Sequence, residues 1–442
     1  MHTVKEKVYG FLRKYGMDYE SIDMEQNCRL FIEEMENGLK GGMSSLPMIP
    51  TYISAEKDVP ADEPVIAIDA GGTNFRVALV HFDGKRRPVI ENFKLYPMPG
   101  TEGELTKEKF FETVAQYIQP LLDKSGKIGF CFSYPTEILP HKDGRLIRFS
   151  KEVKVKGVEG QLIGANLLRT FKEMGMPADK RIVLLNDTVA TLLGGKASYP
   201  ERVFDGYIGF ILGTGTNTCY IEDKGNIRKI PQIAAEKGTM LVNIESGSYG
   251  KAPRGQIDRE FDTGTANPGR QVFEKAISGA YLGGLILAVI KRAAGEGLLS
   301  RGFYERITGV NRFTSEEVDE FLNYPYGGNN LLARCCGPSS SAQESDDRIV
   351  LYHLIDAIME RAGKLAAINL SAIILKTGKG KNPCAPACIA AEGSTFRKSK
   401  LFRTKLEYYM KVYLRDQKET YCEFVEAENT TMIGTAIAAL LN

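Results

Sequence analysis

Asn186 and Asp187 close the apolar run Val183–Leu185 and lead into Thr188. A carboxylate at such a strand end can take the proton of an alcohol as the alcohol attacks a phosphoryl group. The plainer reading is that Asp187 caps the next helix. The same chain offers Ser133, Ser150, Lys151, Asn186, Asn217, Asn243, Glu245 and Glu274. Carboxylates accept from sugar hydroxyls, amides do both, and a lysine donates to the ring or to developing charge. Each residue alone is a solvated polar group, and only convergence in a cleft would make them a sugar site.

A second chemistry comes from a turn that occurs twice. Residues 65–80 read VIAIDAGGTNFRVALV and residues 208–221 read IGFILGTGTNTCYI. Each is an apolar run, a Gly/Thr/Asn bend and another apolar run, the pattern of a β-hairpin. Such a bend has free backbone N–H groups, donor hydroxyls and no Cβ to block close approach, which suits a phosphate. One glycine-rich hairpin is ordinarily a tight turn. Its recurrence suggests a duplicated unit gripping one polyphosphate from both sides. Asp69, ending the first strand, is placed to hold a hydrated Mg²⁺ there, since Mg²⁺ keeps several waters and takes one or two carboxylates. Neither G-x-x-x-x-G-K-[ST] nor a strand-to-helix G-x-G-x-x-G is present.

The elements that must hold these groups alternate between strand and helix, which predicts an α/β architecture. Residues 1–42 read as helix, with Phe31, Ile32, Met35 and Leu39 in one stripe and Gly41–Gly42 as the stop. Pro47, Pro50 and Pro60 mark 43–63 as a linker. Residues 105–122 are read as helix, 128–133 and 183–185 as buried strands, 347–373 as a long helix, 387–391 as a strand and 432–441 as a small-residue helix. Asn267–Pro268 reads as an N-cap with proline at the first helical position. Residues 325–345 read as a surface loop.

With 442 residues, two or three domains are expected. The chain is 43% hydrophobic and 25% charged, with a net charge of +2 and no basic block, so nucleic acid and anionic membrane are not indicated as partners. The first residues lack the apolar core of a secretory signal. The most apolar helical stretch, Tyr281 to Ile290, is too short to span a bilayer. Eight scattered cysteines and four histidines suit a reduced, cytoplasmic protein better than a disulfide framework or a structural metal site at Cys384 and Cys388.

Taken together the motifs resemble the hexokinase family, in order, from about residue 28 to the C-terminus. IAIDAGGTNFRVALV and GFILGTGTNTCYIE resemble its two phosphate segments, and IGFCFSYP its sugar-binding Ser-Phe-Pro segment. GRLIRFSKEVKVKGVEG resembles the segment with its Thr-Lys pair, and LLNDTVATLLGG the catalytic one. LVNIESGSYG and ANPGRQVFEKAISGAYLGG resemble the two glutamate-bearing sugar segments. The resemblance implies two actin-like (ribonuclease H-like) α/β domains with mixed sheets flanking a cleft. It places a small domain at 61–205 and a large one at 206–429. A helical segment 1–60 would pack on the large domain, and helix 430–442 would return to the small one. It implies an ATP- and Mg²⁺-dependent hexose kinase, monomer or homodimer, with Asp187 as general base and Lys151 assisting. Ser133, Tyr134, Ser150, Lys151, Asn186, Asp187, Asn217, Asn243, Glu245, Gln271 and Glu274 would meet the sugar. Asp69, Gly71, Gly72, Thr73, Asn74, Arg76, Gly213, Thr214, Gly215, Thr216, Gly279, Gly393, Ser394, Thr430 and Thr431 would meet the nucleotide, and Asp69 and Asp187 the metal.

Three departures stand out. Ser246 replaces the family's Trp, in a chain with no Trp at all; Ser150 replaces Thr; and Asn429-Thr430-Thr431-Met432-Ile433-Gly434 replaces a loop with two more glycines. The altered loop motivates a hexokinase using a phosphoryl donor other than ATP, and the loop together with Ser246 a non-catalytic sugar sensor; Ser150 keeps the hydroxyl. An actin- or chaperone-type ATPase shares the paired hairpins, but the sugar segments argue against it.

Overall fold

The structure, a computed structural model, describes residues 3–54, 56, 59–149, 153–327, 329–337 and 342–442. Its strands in chain order are β1 (Ile49–Pro50), β2 (Val65–Ala70), β3 (Asn74–Phe82), β4 (Pro88–Pro97), β5 (Lys127–Phe132), β6 (Thr136–Ile138), β7 (Gly144–Leu146), β8 (Arg181–Leu185), β9 (Gly206–Leu212), β10 (Thr216–Asp223), β11 (Thr239–Asn243), β12 (Ala387–Glu392) and β13 (Cys422–Val425). One mixed sheet runs β4-β3-β2-β5-β8 and a second runs β1-β11-β10-β9-β12-β13. In both, an antiparallel hairpin is joined by parallel strands: β2 pairs antiparallel with β3 and parallel with β5, and β9 pairs antiparallel with β10 and parallel with β12. The duplicated α/β plan expected from the two bends is therefore present.

Strand β2 is buried along its whole length because both faces of its sheet are covered. Ile66 and Ile68 pack with Phe110, Phe111 and Val114 of helix Lys107–Ile118. Val65 and Ala67, pointing the other way, pack with Val189 and Leu193 of helix Asp187–Ser198 and with Ile433 and Ile437 of helix Thr430–Leu441. The period of two then puts Asp69 and its register partner Cys131 on the side facing those two helices. Glycines let the helices approach closely, since a Cβ on Gly434 would overlap the Ala190 carbonyl. The second sheet shares its core with the N-terminal helices and the long helix Ala342–Thr377.

Several elements differ from the sequence reading. Residues 3–42 hold two helices, Val4–Lys14 and Met24–Lys40, the first capped by Tyr15 ahead of Gly16 (φ 65°). Gly41 does stop the second helix, at φ 78°. Helix 105–122 becomes 3-10 from Gln119, where Pro120 removes an amide donor. Within the supposed linker 43–63, Ile49–Pro50 pairs with β11, and Thr51 donates to the Leu241 carbonyl. Asn267–Pro268 is no cap. That stretch is a turn wrapped round the buried pair Lys275–Asp262, with Lys275 Nζ 2.8 Å from the Asn267 carbonyl and the Gly269 N–H 2.9 Å from Asp262. The helix starts at Val272 and breaks at Ser278 before Gly279–Gly295 begins. The supposed loop 325–345 contains helix Leu331–Cys336 and the start of the long helix; positions 328 and 338–341 within it lie outside the described residues.

Candidate functional site

Three parallel strands of the first sheet end side by side. The C-terminal end of β2 carries the bend 71–73, that of β5 carries Ser133, and that of β8 carries Asn186 and Asp187. Asn186 is the N-cap of helix Asp187–Ser198, its Oδ1 accepting from the Thr188 N–H at 3.0 Å and from the Thr188 hydroxyl at 2.5 Å. Asp187 comes next, in the first turn, and accepts from the same Thr188 N–H at 2.9 Å. Its carboxylate thus lies at the positive end of the helix dipole.

From the second sheet, the Asn217 amide donates to Asn243 Oδ1 at 2.8 Å and to Glu245 Oε1 at 3.3 Å, and lies 3.5 Å from Asn186 Oδ1. Asn243 donates to the same Glu245 oxygen at 2.9 Å. Asn186, Asn217, Asn243 and Glu245 are therefore one network joining both sheets. A narrow cleft lined by Thr51, Tyr134, Asn186, Asn243 and Glu245 among others opens onto it. Burial raises the carboxyl of Glu245, Asn243 opposes that by hydrogen bonding, and the charge of Asp187 adds to the rise. Glu245 and Gln271 both hold left-handed backbone, φ 58° and 52°, which costs free energy in a residue with a Cβ.

Glu274 closes the other flank. It accepts from the Thr216 N–H at 3.0 Å, and a Cβ on Gly215 would lie 2.5 Å from its Oε2. Gln271 Oε1 stands 2.8 Å from where a Cβ on Gly247 would be, so Gly247 makes room for it. Ser246 is fully buried; its N–H donates to Asn217 Oδ1 at 3.2 Å and its hydroxyl has no partner among the described residues. Ser150 and Lys151 lie outside the described residues.

Around the first bend, Asp69 is buried and paired to Arg76 at 2.7 Å. Its carboxyl is raised, burial being the main cause and Asp187 a further one, against the pull of Arg76. Asp69 and Asp187 thus face one electrostatic neighbourhood. Their hard oxygen donors suit a hydrated Mg²⁺. Among the described residues no cluster of three or more His, Cys, Asp or Glu forms a protein-only cage.

Around the second bend, Gly213, Gly279 and Gly393 meet. The Gly279 N–H donates to the Gly213 carbonyl at 2.8 Å, the Thr395 hydroxyl donates to it at 3.0 Å, and a Cβ on Gly393 (φ 116°) would overlap the Leu212 carbonyl. A cavity of ≈ 200 Å³ beside this bend is lined by Thr214, Gly279, Ser315, Asp319, Ser394 and Lys398 among others. Burial raises the carboxyl of Asp319, which accepts from Ser399 at 2.8 Å. Thr430 is engaged elsewhere, with its hydroxyl on Glu392 at 2.9 Å and on the Ala427 carbonyl. Neither Thr430 nor Thr431 lines that cavity. A larger groove, ≈ 590 Å³, lies away from all these residues and holds charges that are paired, such as Arg292 with Glu260.

Sequence reasoning gave no individual role to Cys131, Thr395 or Asp319. Cys131 was legible in principle, being one strand over from Asp69 in register. The other two come close only through the tertiary fold.

Comparison with known proteins bears on this geometry. Two sequence models described as hexokinase match residues 11–197 and 207–441. Hexokinase-1 of Pongo abelii is 30% identical over 391 residues, covering 83% of this chain and 41% of that protein, so this chain spans under half its length. Hexokinase-5 of Oryza sativa subsp. japonica is 28% identical, covering 92% of this chain and 84% of that one. A solved structure of hexokinase from Schistosoma mansoni complexed with glucose superposes with a TM-score of 0.78 at 24% identity, covering 99% of this chain and 98% of that one. The two-lobed mixed-sheet α/β fold is shared with it.

Proposed function

This chain belongs to the hexokinase family, and from that premise we propose that it transfers the γ-phosphoryl group of ATP to the 6-hydroxyl of glucose or a related hexose. The observation that carries the proposal is the Asn186–Asn217–Asn243–Glu245 network, which draws on both sheets and sits beside Asp187 between the two glycine-rich bends.

In this reading the hexose lies in the cleft, its hydroxyls donating to Glu245 and Glu274 and exchanging hydrogen bonds with Asn186, Asn217, Asn243 and Gln271. Ser133, Ser150 and Lys151 complete the set from the first lobe. Asp187 takes the proton of the 6-hydroxyl as the oxygen attacks phosphorus, and the nucleoside diphosphate leaves. Backbone N–H groups of the bends 71–73 and 213–215 hold the phosphates. Asp69 and Asp187 would hold Mg²⁺, which when bound offsets phosphate charge. We assign residues 61–205 with the helix 430–442 to one lobe, and 206–429 with the packed segment 1–60 to the other, because one hydrophobic cluster draws on 8–48 and 208–414 and a second on 66–184, while the third takes Ile53, Cys219 and Leu241 across the boundary to meet the helices 187–198 and 430–441. Closing of the lobes would exclude water as a competing nucleophile.

A second reading concerns the donor. Thr430 is tied to Glu392, and the segment 429–434 is the start of a packed helix, which favours a nucleoside contact different from the family pattern. One assay tests both: glucose, mannose and fructose crossed against ATP, GTP, ADP and polyphosphate with Mg²⁺. Sugar phosphate from ATP upholds the kinase reading; turnover with another donor only upholds the second. Sugar binding without turnover for any pair overturns both. Asp187→Ala lowers kcat by about 10²–10⁴-fold if Asp187 is the base, and unchanged turnover removes that role.

A further inference from the structure

Tyr134 lies immediately after Ser133, where the segment it resembles has phenylalanine, so its hydroxyl is an addition. The ring is 1% exposed and clamped between Phe132 and Phe149, with centroids at 4.8 and 5.1 Å. The hydroxyl donates to the Gly71 carbonyl at 2.6 Å. On the far shoulder of the same bend, the Met98 N–H donates to the Thr73 carbonyl at 2.9 Å. The bend itself is closed by the Gly71 N–H on the Asn74 carbonyl at 3.0 Å.

These bonds fix direction. In a planar trans peptide the C=O and the following N–H point opposite ways. With the Gly71 carbonyl drawn to Tyr134, the Gly72 N–H is turned away from Tyr134. Among the described residues no group accepts from the N–H of Gly72 or Thr73. A bend with unclaimed N–H groups and no Cβ at Gly71 or Gly72 is an anion cradle. Burial pushes the Tyr134 phenol above its ordinary range, so it remains a donor at any working pH.

We propose that Tyr134 is a positioning residue that ties the sugar-side segment to the first bend and holds the Gly72 peptide with its N–H presented to the donor's phosphates. This rests on the kinase reading for the identity of the phosphate, not for the tether. The segment that carries Ser133 and the bend that meets the phosphates then move as one body.

The test is Tyr134→Phe, which keeps the ring and removes only the hydroxyl. Amide hydrogen exchange by mass spectrometry is compared for peptides spanning 65–80 and 206–223. Steady-state kinetics with glucose and ATP, and calorimetry with Mg²⁺-ATP, run alongside. The tether predicts at least roughly threefold faster exchange at the Gly71 N–H and no change in the second hairpin. It also predicts ATP binding weakened roughly three- to tenfold, as loss of one hydrogen bond allows. Unchanged exchange at 65–80, equal loosening of both hairpins, or unaltered ATP affinity overturns it. If the parent enzyme turns over no sugar, the kinase reading fails, while exchange and ATP binding still decide the tether.

Discussion

The two glycine-rich bends share a sequence pattern but use their glycines for different reasons. At the first, a Cβ on Gly71 would meet nothing nearer than the Asn74 carbonyl at 3.6 Å, and its φ is not positive. The space is open, and neither backbone strain nor packing demands glycine there. At the second, a Cβ on Gly215 would strike Glu274, while Gly279 and Gly393 are needed for backbone to meet backbone around Gly213. One bend leaves room for a ligand and the other is built into a junction. The carboxylates divide in the same way. Asp69, under the first bend, has Arg76 as a cation partner, whereas Glu245 beside the second has the amides of Asn243 and Asn217.

The largest effect that would sharpen this contrast is Gly393→Ala. The new Cβ overlaps the Leu212 carbonyl at a φ of 116°, so a loss on the order of 3 kcal/mol is expected in denaturant unfolding. A wild-type midpoint would break the junction account. Next comes Gly215→Ala, which displaces Glu274 and should raise the hexose KM roughly tenfold, about the value of one hydrogen bond to a charged group. An effect on the donor KM alone would contradict the placement of Glu274.

Glu245→Gln tests the carboxylates. The folded-state carboxyl of Glu245 is raised, so its contribution to stability is present below the ordinary carboxylate range and is lost as pH rises through the folded value. Glutamine has no such loss. The variant should gain on the parent in Tm as pH rises above the ordinary carboxylate range, while binding hexose more weakly. A gap that narrows with rising pH would reverse the sign. The smallest effect is Gly71→Ala, where stability should move by less than about 0.5 kcal/mol although the donor KM rises. A large loss of stability would show that the first bend is a junction too.

Much of the site was readable because it lies at strand ends. The runs ending at Asp69, Ser133 and Asn186 announce themselves by continuous apolar residues, and the residues just past a buried parallel strand emerge at one edge of the sheet. The second hairpin was equally clear. Asn267–Pro268 misled because its local capping signal is overridden by the distant Lys275–Asp262 pair, which folds the turn around a buried charge. Helix Leu331–Cys336 was missed for a related reason: its flanking polar residues read as a loop, while Leu332, Ala333, Cys335 and Cys336 are buried against neighbours far along the chain.

The sequence by itself determined the duplicated hairpin plan, the order of motifs and the residue types able to bind sugar and phosphate, because apolar periodicity and turn chemistry are local. The tertiary structure alone decided that Asn217 reaches Asn186 and Glu245, that Tyr134 holds Gly71, and that Gly279 and Gly393 meet at Gly213. Each joins segments from separate strands or helices, and such contacts depend on how the packed elements lie against one another, which no local pattern encodes.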